Sequence, residues 1–275
     1  MTQNMVGTIA SLFRYPVKSM LGESLEAVEV TAQGILGDRA YALWDQETQR
    51  IASAKNPKKW AKLLNFQAMF TDTPRSHQSM PSVQFVLPDG TVETSDASNI
   101  DATLSEAVGR EVQLLSSVPE QPSLDQYWPD VAETAYQDTI TQLFMPPGTF
   151  FDSCPIHAIT TATLTRLQEL YPEGQFEPCR FRPNLLIQPA TSDIAFLEDA
   201  WVGGVLAIGD QVRLKIDTAC PRCVVTTLAQ SGLPDDLNIL RTAAKHNNVI
   251  AGIRASVLQP GLIRCNDPIF LEQPT

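Results

Sequence analysis

Val205-Leu206-Ala207-Ile208-Gly209-Asp210-Gln211-Val212-Arg213-Leu214-Lys215-Ile216-Asp217 reads as two short strands, Val205 to Ile208 and Gln211 to Asp217, joined by the turn Gly209-Asp210. Glycine and aspartate tolerate the backbone angles that a tight hairpin requires, so this stretch commits the chain locally to antiparallel β-structure. The same texture continues outward from it. Upstream, Asn184 to Gln188 is a strand, preceded by a helix from about Thr161 to Tyr171 with Leu164, Leu167 and Leu170 on one side. Downstream, a helix near Asp235 to Lys245 leads into the alternation Val249, Ala251, Ile253, Ala255, Val257. Pro260-Gly261 then turns the chain into a last strand ending near Leu271.

The N-terminal part is built of similar pieces. Val6 to Tyr15 and Ser24 to Val30 read as strands, and Ala40 to Trp44 with Gln49 to Ser53 reads as a hairpin. Asn56-Pro57 starts a helix, with Asn56 as cap and Trp60, Leu63 and Leu64 on its apolar face. Lys55, Lys58, Lys59 and Lys62 read as its solvated face. Val83 to Leu87 and Thr91 to Thr94 bracket the turn Pro88-Asp89-Gly90. A short helix from Asp101 to Val108 closes at Gly109 before a strand from Glu111 to Leu115. Between Ser116 and Gly148 five prolines interrupt a weakly periodic stretch, which reads as a connection. The expected fold is mostly β with a few helices (α+β). An N-terminal β-barrel-like domain occupies residues 1–118, a connecting segment 119–148, and a second β-barrel domain 149–275.

The chain has 275 residues, 43% of them hydrophobic and 19% charged, the composition of a folded globular protein. A net charge of −11 argues against nucleic acid and anionic membranes as partners, because both demand a positive field. No stretch has the length of a membrane span and no secretory signal opens the chain, so a cytoplasmic protein is expected. Five cysteines, an odd number in that setting, are expected to act as thiolates, ligands or redox groups rather than as structural disulfides.

Cys220-Pro221-Arg222-Cys223 follows a strand and precedes Val224-Val225-Thr226-Thr227, which reads as extended. The thiolate is the reactive and ligating form of cysteine, and Arg222 beside it favours that form. One such pair without a second makes half a zinc site, with nothing nearby to complete it. A thioredoxin-like pair expects a helix start within a βαβ unit. Two packed cysteines without chemistry remain the plain structural reading.

Three further stretches put cations among small or apolar neighbours: Tyr15-Pro16-Val17-Lys18-Ser19, Gly37-Asp38-Arg39, and Arg180-Phe181-Arg182-Pro183-Asn184. Arginine offers phosphate a two-pronged fork, lysine a point charge, and a Lys-Ser turn adds backbone and hydroxyl donors. Taken singly, each fits a structural ion pair, such as Arg39 with Asp38. Taken together with the cysteine motif, they suggest an anionic ligand beside a thiolate.

These motifs occur in one order along the chain. With Gly34-Ile35-Leu36-Gly37-Asp38-Arg39, Phe151-Asp152, Phe181-Arg182-Pro183-Asn184, the Cys220–Thr227 stretch and the closing Asp267-Pro268, the sequence resembles the MOSC family preceded by its N-terminal β-barrel domain. Its layout is similar to that of the mitochondrial amidoxime reducing components and their bacterial relatives. The resemblance implies a molybdenum cofactor (molybdopterin), with Cys223 as sulfur ligand to the metal. It places Lys18, Ser19, Arg39, Arg182 and Asn184 on the cofactor's phosphate and pterin, with Arg222 beside the ligand, and Asp152 near the metal. Asp152 would need a raised pKa to steer a proton near neutral pH. The implied reaction is reduction of hydroxylamines, amidoximes or N-hydroxylated bases. No ferredoxin-like stretch follows the last strand, so electrons are expected from a separate ferredoxin-, flavodoxin- or cytochrome b5-like protein with its reductase. Cys154, His157, Cys220 and Cys265 receive no family role; His157 reads as a satisfied, half-buried histidine, and Cys265-Asn266 stands where the family usually has Val-Gly. Two other readings stay open: a non-catalytic cofactor carrier or sulfur-transfer protein, and a thiol protein without molybdenum, in which Cys220 and Cys223 would matter equally.

Overall fold

The computed structural model describes residues 4–132 and 136–272. Seven of its strands close on themselves: β1 (Asn4–Arg14), β2 (Ile156–Thr160), β3 (Leu185–Pro189), β4 (Val205–Ile208), β5 (Val212–Pro221), β6 (Ile250–Gln259) and β7 (Pro268–Glu272). Their order is β3-β2-β6-β5-β4-β7-β1, and β1 pairs with β3 to complete the ring. Closure removes the unpaired edges that an open sheet would expose. The barrel of the C-terminal part therefore takes its closing strand from the N-terminus. All these pairings are antiparallel except β2 with β3, which the helix Thr161–Leu170 connects as a crossover. Thr160 caps that helix, its hydroxyl accepting from the Thr163 N–H at 3.1 Å. The hairpin at Gly209-Asp210 forms as expected, Ile208 standing opposite Val212 with Gly209 at φ 53°.

Branched side chains fill the barrel because they pack well on a pleated surface. Ile9, Ile156, Ile187, Ile208, Ile216 and Ile253 are all fully buried there. Each such side chain contributes about 1.5–3 kcal/mol over an exposed one. A second core, around Val17, Leu43, Leu63, Phe66, Phe85 and Leu104, is enclosed by two three-stranded sheets of the N-terminal part. One joins Val112–Leu115, Ala42–Asp45 and Arg50–Ile51; the other joins Gln67–Phe70, Val83–Val86 and Val92–Thr94. The helix Ile100–Val108 ends at Gly109 in the left-handed conformation (φ 75°) that glycine adopts without strain.

Four local expectations are corrected. After Asn56 only Pro57–Trp60 is α-helical, and Ala61–Asn65 tightens to a 3-10 helix. The Asn56 carbonyl, not its side chain, accepts from Lys59 and Trp60. Val224–Thr227 is a 3-10 turn rather than extended, the Thr226 N–H reaching the Cys223 carbonyl at 3.1 Å. The last strand is two: Gly261–Arg264 pairs with Ala27–Thr31, and a turn at Cys265–Asp267 precedes β7. Finally, residues 119–148 contain the hairpin Ser123–Trp128/Thr139–Phe144. Its apolar pattern is inverted: Ile140 and Phe144 face outward while Gln126 is buried, so no inward stripe marked it in the sequence.

Candidate functional site

Three chain segments leave the two cores and meet at one cleft. β1 runs into the Lys18-Ser19 turn, the helical turn Pro178–Phe181 leads to Arg182 just ahead of β3, and β5 ends at Pro221. All eight residues expected at a site, Lys18, Ser19, Arg39, Asp152, Arg182, Asn184, Arg222 and Cys223, line this cleft.

The backbone is strained where the site is made. Ser19, Arg39 and Arg182 all sit in the left-handed region, at φ 64°, 50° and 52°. That conformation costs a non-glycine residue roughly 1–2 kcal/mol and persists only where its surroundings enforce it. At Arg39 the enforcement is visible. Arg39 N–H donates to the Tyr15 carbonyl at 2.7 Å, and Tyr15 N–H returns a bond to Asp38 Oδ1 at 2.8 Å. Asp38 Oδ2 pairs with the Arg39 guanidinium and accepts from Asn184 Nδ2 at 3.0 Å. Asn184 Oδ1 accepts from His157 N–H at 3.1 Å. Asn184 thus acts as a clamp between Asp38 and β2. The plain reading of Arg39 as Asp38's partner holds, but the pair sits on the cleft.

The Tyr15 ring is packed against the two arginines, with the guanidinium carbons of Arg39 and Arg182 at 4.5 and 4.3 Å from its centroid. Burial pushes the Tyr15 phenol up to about 12 although both arginines act against it. Burial, with Arg39 alongside, pushes the Arg182 guanidinium down to about 10. Arg182 Nη1 and Nη2 are buried with no hydrogen-bond partner. A buried guanidinium without acceptors is costly, and the cost is offset when an anion in the cleft accepts from it. Ser19 Oγ accepts from Ala54 N–H at 3.0 Å, which leaves its proton to donate.

On the opposite side stands a triad that includes a residue the sequence did not single out. Lys18 Nζ donates to Asp152 Oδ1 at 2.5 Å and to the Phe150 carbonyl at 2.7 Å. Lys55 Nζ lies 3.5 Å from Asp152 Oδ2 and 3.8 Å from Cys223 Sγ. Lys55 is therefore not on the solvated face of the following helix. It precedes the cap residue Asn56 and so is not on the helix at all, which is the signal that was available. Burial would raise the Asp152 pKa, but Lys18 and Lys55 outweigh it and hold the carboxyl well below its ordinary range. The two lysines thus favour the charged form of Asp152, the opposite direction from the raised pKa that carrying a proton would require. Burial lowers Lys18, while for Lys55 the opposing burial is outweighed by Asp152 and Cys223.

The two cysteines of the motif differ. Cys220 is buried and takes a hydrogen bond from Arg222 Nη1 at 3.0 Å. Burial raises its pKa, but the Arg222 and His157 charges bring it well below the ordinary thiol value. Arg222 also contacts His157 Nε2 at 3.2 Å and donates to the Phe181 carbonyl at 2.6 Å. His157 is buried with both ring nitrogens near partners, the second being the Arg182 carbonyl at 3.5 Å. Cys223 instead faces the cleft with Lys55 beside its sulfur. Cys154 lines the cleft too, its thiol pushed up to about 11 by burial and by Cys220. Cys265 lies elsewhere, against the Leu25 carbonyl at 3.4 Å. Arg254, a lining residue that the alternation of its strand concealed, brings the cations of the cleft to six with Lys18, Lys55, Arg39, Arg182 and Arg222.

Two family models match the sequence: the MOSC N-terminal beta barrel domain over residues 6–108 and the MOSC domain over residues 147–270. The chain is a MOSC-domain protein with a MOSC N-terminal barrel domain. Both MOSC parts build the cleft, the N-terminal match supplying Lys18, Ser19, Arg39, Ser53 and Lys55 and the MOSC domain the rest. Human mitochondrial amidoxime reducing component 2 is 25% identical over 96% of this chain and 83% of its own length. Human mitochondrial amidoxime-reducing component 1 is 25% identical over 97% and 83%. Among solved structures, the YuaD protein of Bacillus subtilis aligns over 98% of both chains with 13% identity and a TM-score of 0.49. Among the described residues, no helix of this MOSC protein is long and apolar enough to cross a membrane.

Proposed function

We propose that the cleft binds a molybdenum cofactor and that the protein uses it to reduce N-hydroxylated compounds. The observation that carries this reading is the pair of partnerless, buried guanidinium nitrogens of Arg182, facing the same cleft as the Cys223 thiol. Anion-binding cations and a soft metal ligand together are what a phosphate-bearing, metal-holding cofactor requires. Six cations against the carboxylates of Asp38 and Asp152 leave the site in need of negative charge. Among the described residues no cluster of three or more His, Cys, Asp or Glu side chains could hold a metal ion, so ligands besides Cys223 would come from the cofactor's dithiolene.

In this reading Arg39, Arg182, Lys18 and Ser19 hold the phosphate and pterin, and Asn184 fixes the Asp38–Arg39 pair beneath them. The bound group would supply two-electron removal of oxygen from nitrogen, with the balance R–NH–OH + 2 H⁺ + 2 e⁻ → R–NH₂ + H₂O. Asp152 orients the ammonium groups of Lys18 and Lys55. Lys55 holds a proton 3.8 Å from Cys223 Sγ, where oxygen would leave as water. The resemblance to amidoxime reducing components supports this substrate class and a separate electron donor of ferredoxin, flavodoxin or cytochrome b5 type. The inequality of Cys220 and Cys223 speaks against a thiol protein working through both.

The test is elemental analysis of wild type and Cys223→Ser, both expressed with molybdate in a cofactor-producing host, followed by reduction of hydroxylamine with a reduced viologen dye. Near-stoichiometric molybdenum in wild type, its loss in the variant and dye-driven turnover are expected. Molybdenum in neither protein, with the fold intact, would sink the cofactor reading. Molybdenum without turnover would leave a carrier.

A further inference from the structure

Beside the cationic cleft lies a second hollow of about 400 Å³ with a different lining. The two share seven lining residues, among them Lys55, Asp152, Arg222, Arg254 and Cys223, so Cys223 stands on their common seam. Particular to the second are Gln126, Trp128, Leu143 and Val249, none of them charged. Arg39, Arg182 and Asn184 do not reach it.

We propose that this hollow is the substrate bay and that Trp128 selects N-hydroxylated compounds bearing a flat apolar body. The proposal rests on the cofactor reading above, because it takes Cys223 as the point where chemistry occurs. A substrate must reach that point from a side that Lys18, Arg39 and Arg182 do not occupy, and the bay opens on Cys223 without those three, while Lys55, Arg222 and Arg254 stand on the seam. Its volume lies within the roughly 300–1,000 Å³ usual for small-molecule sites, ample for a single ring.

The wall is built to hold a fixed ring. Trp128 donates its indole N–H to Thr141 Oγ1 at 2.8 Å across the hairpin, so the polar need of the ring is met and its faces remain apolar. The hairpin is tied down in turn. Asp125 pairs with Arg50 and lies 3.8 Å from Lys59, and Tyr127 N–H donates to the Lys55 carbonyl at 2.8 Å. That last bond joins the wall to the residue whose ammonium stands beside Cys223. Opposite, Val249 adopts φ 70°, rare for a β-branched residue, and its carbonyl accepts from Arg222 N–H at 2.8 Å. The chain thus places an apolar side chain at the bay where the backbone disfavours it, next to the ligand loop.

The experiment compares hydroxylamine with N-phenylhydroxylamine, which share the reacting group and differ by the ring. Both are reduced by dye with the molybdenum-loaded protein. Trp128→Ala is expected to raise KM for N-phenylhydroxylamine about tenfold while kcat and the hydroxylamine kinetics stay unchanged. Trp128→Phe, which keeps a ring, recovers most of the loss. Phe144→Ala, on the outward face of the same hairpin, changes neither substrate. Equal shifts for both substrates, or none, overturn the bay while the cofactor reading stands. If wild type reduces neither, the cofactor reading fails, and saturation-transfer NMR of aniline decides the bay alone. Transfer in wild type that Trp128→Ala abolishes supports it; absence of transfer overturns it.

Discussion

Arg180 and Arg182 stand two residues apart and serve opposite ends. The region around Arg180 is closed: the side chain is fully buried and donates to the carbonyls of Gln175, Thr226, Leu228 and Pro234 at 2.8 to 3.2 Å. The region around Arg182 is open to a ligand: its terminal nitrogens are equally hidden from solvent but have no acceptor. One arginine is spent on holding the 3-10 turn behind Cys223, and the other is left unsatisfied on the cleft. Partner inventory, more than burial or sequence context, separates a structural cation from a binding one.

The largest effect expected from this contrast belongs to Arg180. Arg180→Met strands four buried carbonyls and should cost about 3–5 kcal/mol of stability in urea unfolding, with or without cofactor. Because Thr226 and Leu228 lie in and just after the turn that begins at Cys223, molybdenum content should fall as well. A cost below about 1 kcal/mol would mean that water replaces the guanidinium easily and that the contrast is overdrawn. Arg182→Met should behave in the opposite sense. The cofactor-free protein should be as stable as wild type or more so, since no hydrogen bond of that guanidinium is lost and an unpaired buried charge is removed. Retained molybdenum, measured after gel filtration, should fall about tenfold, equivalent to roughly 1.4 kcal/mol. Full retention would remove Arg182 from the binding set.

Both arginines are in one sequence motif, and nothing in that motif distinguishes them. What the sequence did make legible was periodic or conformationally forced. The hairpin at Gly209-Asp210, the alternating strand now seen as β6, and the glycine-closed helix at Val108 were all readable, because each follows from turn chemistry or a single buried face. The resemblance named eight residues, and all eight line one cleft. Lys55 was missed because charge alone suggests solvent, and only its place before Asn56 says otherwise. The hairpin carrying Trp128 was missed because it buries Gln126 and exposes Phe144, reversing the usual pattern. The closure of the barrel by β1 was not readable at all, since pairing across more than 170 residues leaves no local trace (Leu12 stands opposite Leu185).

Asp152 sharpens the comparison on the other wall of the cleft, where the cations do have a partner. Its folded pKa is depressed, so its contribution is present above the unfolded value of about 3.9 and is lost as pH falls through the folded value. Asp152→Asn should therefore cost about 1–2 kcal/mol at pH 7, through the weakened charged hydrogen bond to buried Lys18. The cost should begin to shrink only as pH falls below about 4 and should vanish once pH drops through the depressed folded value. Urea unfolding of both proteins from pH 7 down to the lowest pH at which they stay folded reads the onset of that loss. A difference independent of pH would show that the substitution acts through packing and not through charge.

Val249 carries the smallest and most diagnostic prediction. Replacing it with glycine removes a left-handed β-branched residue, a gain of roughly 1–2 kcal/mol. It also loses half-buried contacts beside Leu240 and Ala244 and frees the unfolded backbone, costs that together recover much of the gain. A net stabilisation of about 0.5 kcal/mol is expected by urea unfolding. The same variant should widen the bay and raise KM for the aryl substrate by less than Trp128→Ala does. Strain at Arg39 is backed by the clamp of Asp38 and Asn184, whereas Val249 is held by its own backbone bonds to Ala243 and Arg222. If Val249→Gly destabilises the protein by 1 kcal/mol or more, side-chain packing outweighs the backbone there. Val249 would then belong with Arg180 among the residues that hold the site and not with those that meet the ligand.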